Sequence, residues 1–373
     1  MMVNRERLIA EFLELVQIDS ESGNEAEIAA LLKDKFAEAG LDVVEDDTAA
    51  QTGLGSGNLI ARLKGNVAFA DPILFNCHFD TVTPGNGVKP VVNGDIIQTD
   101  KTTILGADDK AGIAALLEGI RLLKEGNISH GDVEFVLTPG EEVGLIGAYA
   151  VDVKSLNAKY GFSLDSGGSV GEIIVASPDF AKIKAKIYGI AAHAGVAPED
   201  GVSAIEIASH AITKMPLGRL DEGLTANIGT IGGGERTNIV CDFVEITGEA
   251  RAITFSKLEN QIKLMSEALE HAAAFRGGKV EIDVSYERIG YTLDETDRVV
   301  AVAMEAIKKV GRKPNLQTTG GGSDANIFTK GGIPTTNLGV GYLDIHSKDE
   351  KMPISELVKL SELIVEIIKI VSH

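Results

Sequence analysis

The sequence predicts an α/β chain, a mixed sheet covered by helices, that carries an inserted α+β layer. Three observations lead there. Apolar strand-like runs alternate with amphipathic helix-like stretches over the first part of the chain. Near Ser177 the texture changes to alternating strands around two helices, and past Gly290 the α/β texture returns. The chain's 373 residues also exceed the usual size of one domain, so two are expected.

Helical periodicity runs through "NRERLIAEFLELVQ" and again through "NEAEIAALLKDKFAEAG", where Gly40 supplies a C-terminal stop. "DPILFNCHFD" predicts a strand. "DDKAGIAALLEGIRLLKEG" predicts an amphipathic helix ending at Gly126. After it come a strand, "DVEFVLT", a turn, "PGEEVG", and a short strand, "AKYGFSLDSGG", that opens into glycines. Such alternation predicts a sheet covered by helices.

In the middle of the chain "AKIKAKIYGI" alternates as a strand, "SAIEIASHAITKM" is helical and "VCDFVEITGEARAI" is a strand. "SKLENQIKLMSEALEHAAAF" then predicts a long helix and "KVEIDVSYER" a strand, a βαββαβ type of layer able to stand alone. The closing helix is "ISELVKLSELIVEIIKIV". The expected division is a discontinuous domain of residues 1–176 and 290–373 with an insert of residues 177–289.

Composition narrows the function. Hydrophobic residues make up 44% and charged residues 24%, which describes an ordinary globular protein. The net charge of −20 would repel a phosphate backbone, so no nucleic acid partner is expected. No signal-peptide core and no apolar run of spanning length occurs, so no membrane partner is expected. Two cysteines in unlike contexts, Cys77 and Cys241, argue against a disulfide scaffold and for the cytoplasm.

Chemistry gathers where strands end. His78 and Asp80 stand two apart at the end of an apolar strand, so their side chains face one side while Cys77 and Phe79 point away, Cys77 into the core. That is where α/β proteins place their sites, although a structural His–Asp hydrogen bond reads equally well. Asp108 and Asp109 open a helix; one is expected to cap it, leaving the other free for a cation. Glu141 and Glu142 follow a strand and a Pro-Gly turn, either as a solvated acidic turn or as a metal ligand beside a proton carrier. Asp165 follows "YGFSL", and His346 lies in "GYLDIHSKDE". Together His78, Asp108, Glu142, Asp165 and His346 form a nitrogen and oxygen donor set suited to zinc or a similar divalent ion, with no thiolates for a zinc finger.

The order of "HFD", "GADDKAG", "TPGEEVG", "LDSGG", "AAHAG", "GERTNIV" and "IHSKDE" resembles the co-catalytic dinuclear-zinc metallopeptidases that include peptidase T, carboxypeptidase G and aminoacylase. "GADDKAG" and the paired glutamates lean toward the peptidase T, or tripeptidase, branch. The resemblance implies a zinc-peptidase-type catalytic domain with an inserted lid or dimerisation domain. It implies two zinc ions, with another divalent ion such as cobalt or manganese an alternative in one place. His78 and Asp165 would hold one ion, Glu142 and His346 the other, and Asp108 would bridge them. Asp108 is preferred to Asp109 because the family's bridging aspartate lies two residues before the lysine, here Lys110. Asp80 would orient His78, and Glu141 would be the general base acting on a water shared by the metals. His193 in "AAHAG" would be the lid histidine that in relatives reaches a neighbouring subunit's site, so a homodimer is implied. Asn238 and Arg251 would hold the substrate's carboxylate, for which an arginine fork is suited.

The implied activity is a metallopeptidase: an aminopeptidase acting on short peptides, tripeptides among them. An amidohydrolase of N-acyl amino acids is the alternative, and a non-catalytic metal- or peptide-binding protein a more distant one. The Gly320–Gly322 stretch reads as an anion-cradling nest or a tight turn. "GLGSGN" precedes a strand and no helix, which excludes a dinucleotide fingerprint. His130, His210, His271 and His373 are read as structural or exposed.

Overall fold

In the first unit four strands lie side by side and parallel: Val133–Thr138, Ile73–His78, Tyr160–Ser166 and Thr335–Gly339. Leu59–Leu63 and then Asp42–Glu45 extend one side antiparallel, and Glu172–Ser177 lies antiparallel on the other, so the sheet is mixed. These relations come from a computed structural model that describes residues 2–372; His373 lies outside the described residues.

Every residue of Ile73–His78 and Val133–Thr138 is buried, the signature of strands covered on both faces. The alternation of side chains explains how the two faces are filled. Phe75 packs against Phe135 and Phe162 with ring centroids 6.0 and 5.5 Å apart. Its neighbour Leu74 turns the other way, into a cluster with Val136, Leu156, Phe328 and Ile333. On the Phe75 side the helix Ala107–Glu125 passes so close that a Cβ on Gly112 would lie 2.8 Å from the Cys77 sulfur. Asn4 caps the helix Arg5–Gln17 by accepting from the Arg7 N–H, and Arg7 then pairs with the buried Glu118 at 2.7 Å.

The chain divides into a unit of residues 1–175, 293–318 and 323–373 and a unit of residues 176–292 and 319–322. The second unit is an antiparallel sheet in the order Gly218–Asp221, Leu224–Gly233, Phe243–Ala252, Asp179–Tyr188 and Lys279–Arg288. Asp179–Tyr188 alternates buried and exposed residues along its length, as one-sided burial requires. Its buried face meets the helices Ala204–Lys214 and Phe255–Arg276 through Ile183, Ile187, Ile207, Leu258, Met265 and Leu269. The strand Leu224–Gly233 carries little apolar alternation and three glycines, which is why the sequence did not announce it. Among the described residues no helix is long and apolar enough to cross a membrane.

Because Phe75 is fully buried between two aromatic neighbours, Phe75→Ala should destabilise the first unit by about 3–5 kcal/mol. The urea midpoint followed by far-UV circular dichroism measures this, and an unchanged midpoint would contradict the packing described.

Candidate metal centre

The parallel strands end at one edge of the first unit's sheet, and the chain uses that edge to gather its polar groups. His78 is the last residue of its strand. Its Nδ1 lies 3.1 Å from the Asp80 carbonyl oxygen and 3.4 Å from the Asp80 carboxylate, while Nε2 lies 3.1 Å from Asp108 Oδ1 and 3.7 Å from Asp165 Oδ1. The ring is thus oriented as much by the backbone of residue 80 as by its side chain.

Asp80 has a second task. Its carboxylate accepts from the Glu141 N–H at 2.9 Å, the Glu142 N–H at 3.2 Å and the Ser22 hydroxyl at 2.7 Å. One buried carboxylate therefore orients the histidine and holds the two-glutamate turn. The turn itself needs Gly140, at φ +65°, where a Cβ would lie 2.8 Å from a Leu54 methyl.

Asp108 sits between two groups. Its Oδ1 faces His78, and its Oδ2 lies 3.3 Å from His346 Nε2, which is also 3.0 Å from Glu142 Oε1. Two triads follow, His78–Asp108–Asp165 and Asp108–Glu142–His346, each with donor atoms within 4.8 Å of one another; a third joins His78, Glu141 and Glu142. Asp165 is held by its N–H donating to Asn337 Oδ1 at 2.9 Å and by the Tyr342 hydroxyl donating to Oδ1 at 3.2 Å.

The expectation that Asp108 or Asp109 caps its helix is corrected. The backbone at Asp108 and Asp109 is not helical, so both stand in the turn before the regular helix, and the N–H groups of Leu105, Gly106 and Asp108 in that turn donate to Glu350 at 2.7, 2.8 and 3.1 Å. Asp109 turns away from the site, fully buried beside Cys77.

The electrostatics fit a cation. Without one, protons take its place. Hydrogen bonds donated to Asp108 and then Glu142 raise His346 to about 10. Burial opposes a charged His78, yet Asp108, Asp165 and Asp80 hold its pKa well above the ordinary imidazole range. Burial lifts Asp165 to about 7 against the pull of His78, and burial followed by Asp165 pushes Glu141 well above the usual carboxylate range. Asp108 resists burial, because His346 and His78 hold it below that range. Carboxylates gathered around the ring nitrogens of His78 and Nε2 of His346 are the donor chemistry of oxygen- and nitrogen-ligated divalent ions.

The other expected residues lie in the second unit. His193 and Asn238 are brought together: the Ala194 N–H donates to the Asn238 carbonyl at 3.0 Å, and residues 193 and 239 form an antiparallel bridge. His193 Nδ1 accepts from the Gly195 N–H at 3.1 Å, which leaves the ring proton on the other nitrogen of an exposed side chain. Arg251 donates to the Gly320 carbonyl at 2.9 Å, and its guanidinium stands 4.9 Å from the Phe180 ring centre. Arg288 stands 5.5 Å from the same ring and packs on Gly322, where a Cβ would lie 2.2 Å from its Cζ. This second arginine has no signal in the sequence beyond a charge at a strand end. His130 is buried with Nδ1 2.9 Å from the Gly131 carbonyl, and His210 packs on Phe275.

Residues 74–370 match the profile of Peptidase family M20/M25/M40. The chain is 57% identical to the uncharacterized protein YqjE of Bacillus subtilis (strain 168), over 99% of each chain. It superposes with a TM-score of 0.97 on aminopeptidase PepT from Bacillus cereus ATCC 10987, 54% identical over all of both chains. It does so equally, at 0.97, on a tripeptidase from Staphylococcus aureus subsp. aureus Mu50, 45% identical over all of both chains.

Cation binding must displace the protons just described, so affinity should rise with pH. His346, raised to about 10, and Asp165, raised to about 7, hold protons near neutrality that a ligand must release. Each proton released adds a factor of about ten in affinity per pH unit. Titration of chelator-stripped protein with Zn²⁺ at pH 6, 7 and 8 should show steep tightening and proton release into the buffer; a flat profile would contradict the ligand set.

Proposed function

The chain belongs to peptidase family M20/M25/M40, and on that premise we propose that it is a dinuclear-metal aminopeptidase of short peptides, tripeptides foremost, working in the cytoplasm. The observation that carries the reading is Asp108, whose two carboxylate oxygens face His78 and His346 on opposite sides. In this reading His78 and Asp165 would hold one ion and Glu142 and His346 the other, with Asp108 available to both ligand groups. Zinc suits the donor set, with cobalt or manganese an alternative in one place. When bound, such ions acidify water and polarise the scissile carbonyl.

The chain's own residues supply the rest. Glu141, with its N–H fixed on Asp80, takes a proton from the attacking water on a carboxylate oxygen and returns it to the departing amine. His193 offers an exposed ring N–H to the developing oxyanion, in the site of the second subunit of a homodimer. Arg251 and Asn238 receive the substrate's terminal carboxylate, and Arg288, stacked on the same phenylalanine as Arg251, adds a second positive charge there. Similarity to an aminopeptidase PepT and a tripeptidase over their whole lengths supports peptides over N-acyl amino acids as substrates.

A panel of tripeptides, dipeptides and N-acetyl amino acids tests the substrate class. Tripeptides with a free amino terminus should turn over fastest; hydrolysis of acylated amino acids alone would replace this reading with the amidohydrolase one. Glu141→Ala should lower kcat by about 10²–10⁴-fold while metal content stays at wild-type level. Near-normal turnover would remove Glu141 from the reaction. His193→Ala should reduce kcat without moving the melting temperature, and a matching loss of stability would reassign it to the fold.

A further inference from the structure

We propose that Glu350 is a positioning residue of the metal centre: by accepting from the backbone N–H groups of the turn Leu105–Asp108 it leaves the Asp108 carboxylate free to face the two ligand groups. The proposal rests on the dinuclear reading above and adds to it a residue outside the ligand set.

The turn that leads into a helix leaves backbone N–H groups without helical partners, and a neighbouring carboxylate ordinarily accepts from them. Asp108 lies in such a turn, where its own backbone and that of Asp109 are not helical, yet its side chain bonds to none of these N–H groups. Glu350, 242 residues away in sequence, accepts from the Leu105 and Gly106 N–H groups on Oε2 and from the Asp108 N–H on Oε1. It is 1% exposed, so these bonds have no competition from water. The Asp108 backbone is extended, at φ −80° and ψ 105°, which turns its side chain out of the helix toward the imidazoles.

The same carboxylate fixes the other flank. Residues 343 and 351 close a loop by exchanging backbone hydrogen bonds at 2.9 and 3.0 Å, and the Glu350 N–H donates to the Ser347 carbonyl at 3.1 Å. His346 stands on that loop. Glu350 therefore docks the loop that carries His346 onto the turn that carries Asp108. Without it, the freed N–H groups would compete for the Asp108 carboxylate, and the loop would lose its anchor.

The test uses the full chain with its metal stripped, in wild-type, Glu350→Gln and Glu350→Asp forms, titrated with Zn²⁺ against a competing chelator. Gln keeps the length and removes the charge; Asp keeps the charge and shortens the reach. Both variants should fold when metal-free and bind Zn²⁺ about 10–100-fold more weakly. In both, kcat on a tripeptide at fixed Zn²⁺ should fall while KM stays within twofold. Wild-type affinity in Glu350→Asp would reduce the role to charge alone and overturn the proposal. Wild-type affinity in both variants, or failure of both to fold, would overturn it too, the latter in favour of a purely structural cap. If the unmodified chain binds no Zn²⁺, the dinuclear reading itself falls and takes this proposal with it.

Discussion

The structure depends on one electrostatic constraint: four carboxylates, from Asp108, Glu141, Glu142 and Asp165, converge with two imidazoles at a single sheet edge. Two like charges 4 Å apart repel by about 4 kcal/mol at an effective dielectric of 20, and several such pairs overlap here. The repulsion is tolerable only if positive charge sits among them. Protons supply it in the metal-free chain, as the raised pKa values of His346, His78 and Asp165 record. Divalent ions would supply it more fully.

Holding so many like charges together requires a rigid surrounding layer, and the fold provides one made mostly of hydrogen bonds. Asp80 grips the turn that carries Glu141 and Glu142, and Ser22 fixes Asp80. Asn337 and Tyr342 fix Asp165, and Glu350 fixes the turn before Asp108. These supports come from three separated parts of the chain: Ser22, Asp80 and the stretch from Asn337 to Glu350. Parallel strands make this possible, because they deliver the ends of distant segments to one edge.

The same geometry explains what the sequence made legible. His78 and Asp80 could be paired in advance because they are two residues apart at a strand end. Asp165 was visible as an acidic residue directly after an apolar run, and the glutamate pair as one that follows an apolar run and a Pro-Gly turn. Glu350, Tyr342 and Asn337 were not, since nothing local distinguishes a supporting glutamate or asparagine from a solvated one; their roles exist only across separations such as the 242 residues between Asp108 and Glu350. Arg288 escaped for a related reason. Its place beside Arg251 is set by two registers, Lys279–Arg288 and Phe243–Ala252 against Asp179–Tyr188, which put both arginines opposite Phe180.

Asp108 and Asp109 show how environment divides identical neighbours. Asp108 stands between two imidazoles, which hold it ionised in spite of burial. Asp109, one residue on, faces the Cys77 thiol in the core, where burial first and the charge of Asp165 next push its pKa well above the usual range. A buried carboxyl without a cationic partner is most stable when neutral. Asp109 in that form adds no further negative charge behind a site already crowded with it. The choice between the two aspartates, which sequence spacing could make only by analogy, thus has a local physical cause: one side chain is aimed at the imidazoles and the other at the core, and the Glu350 carboxylate already holds the N–H groups of the turn that carries the first.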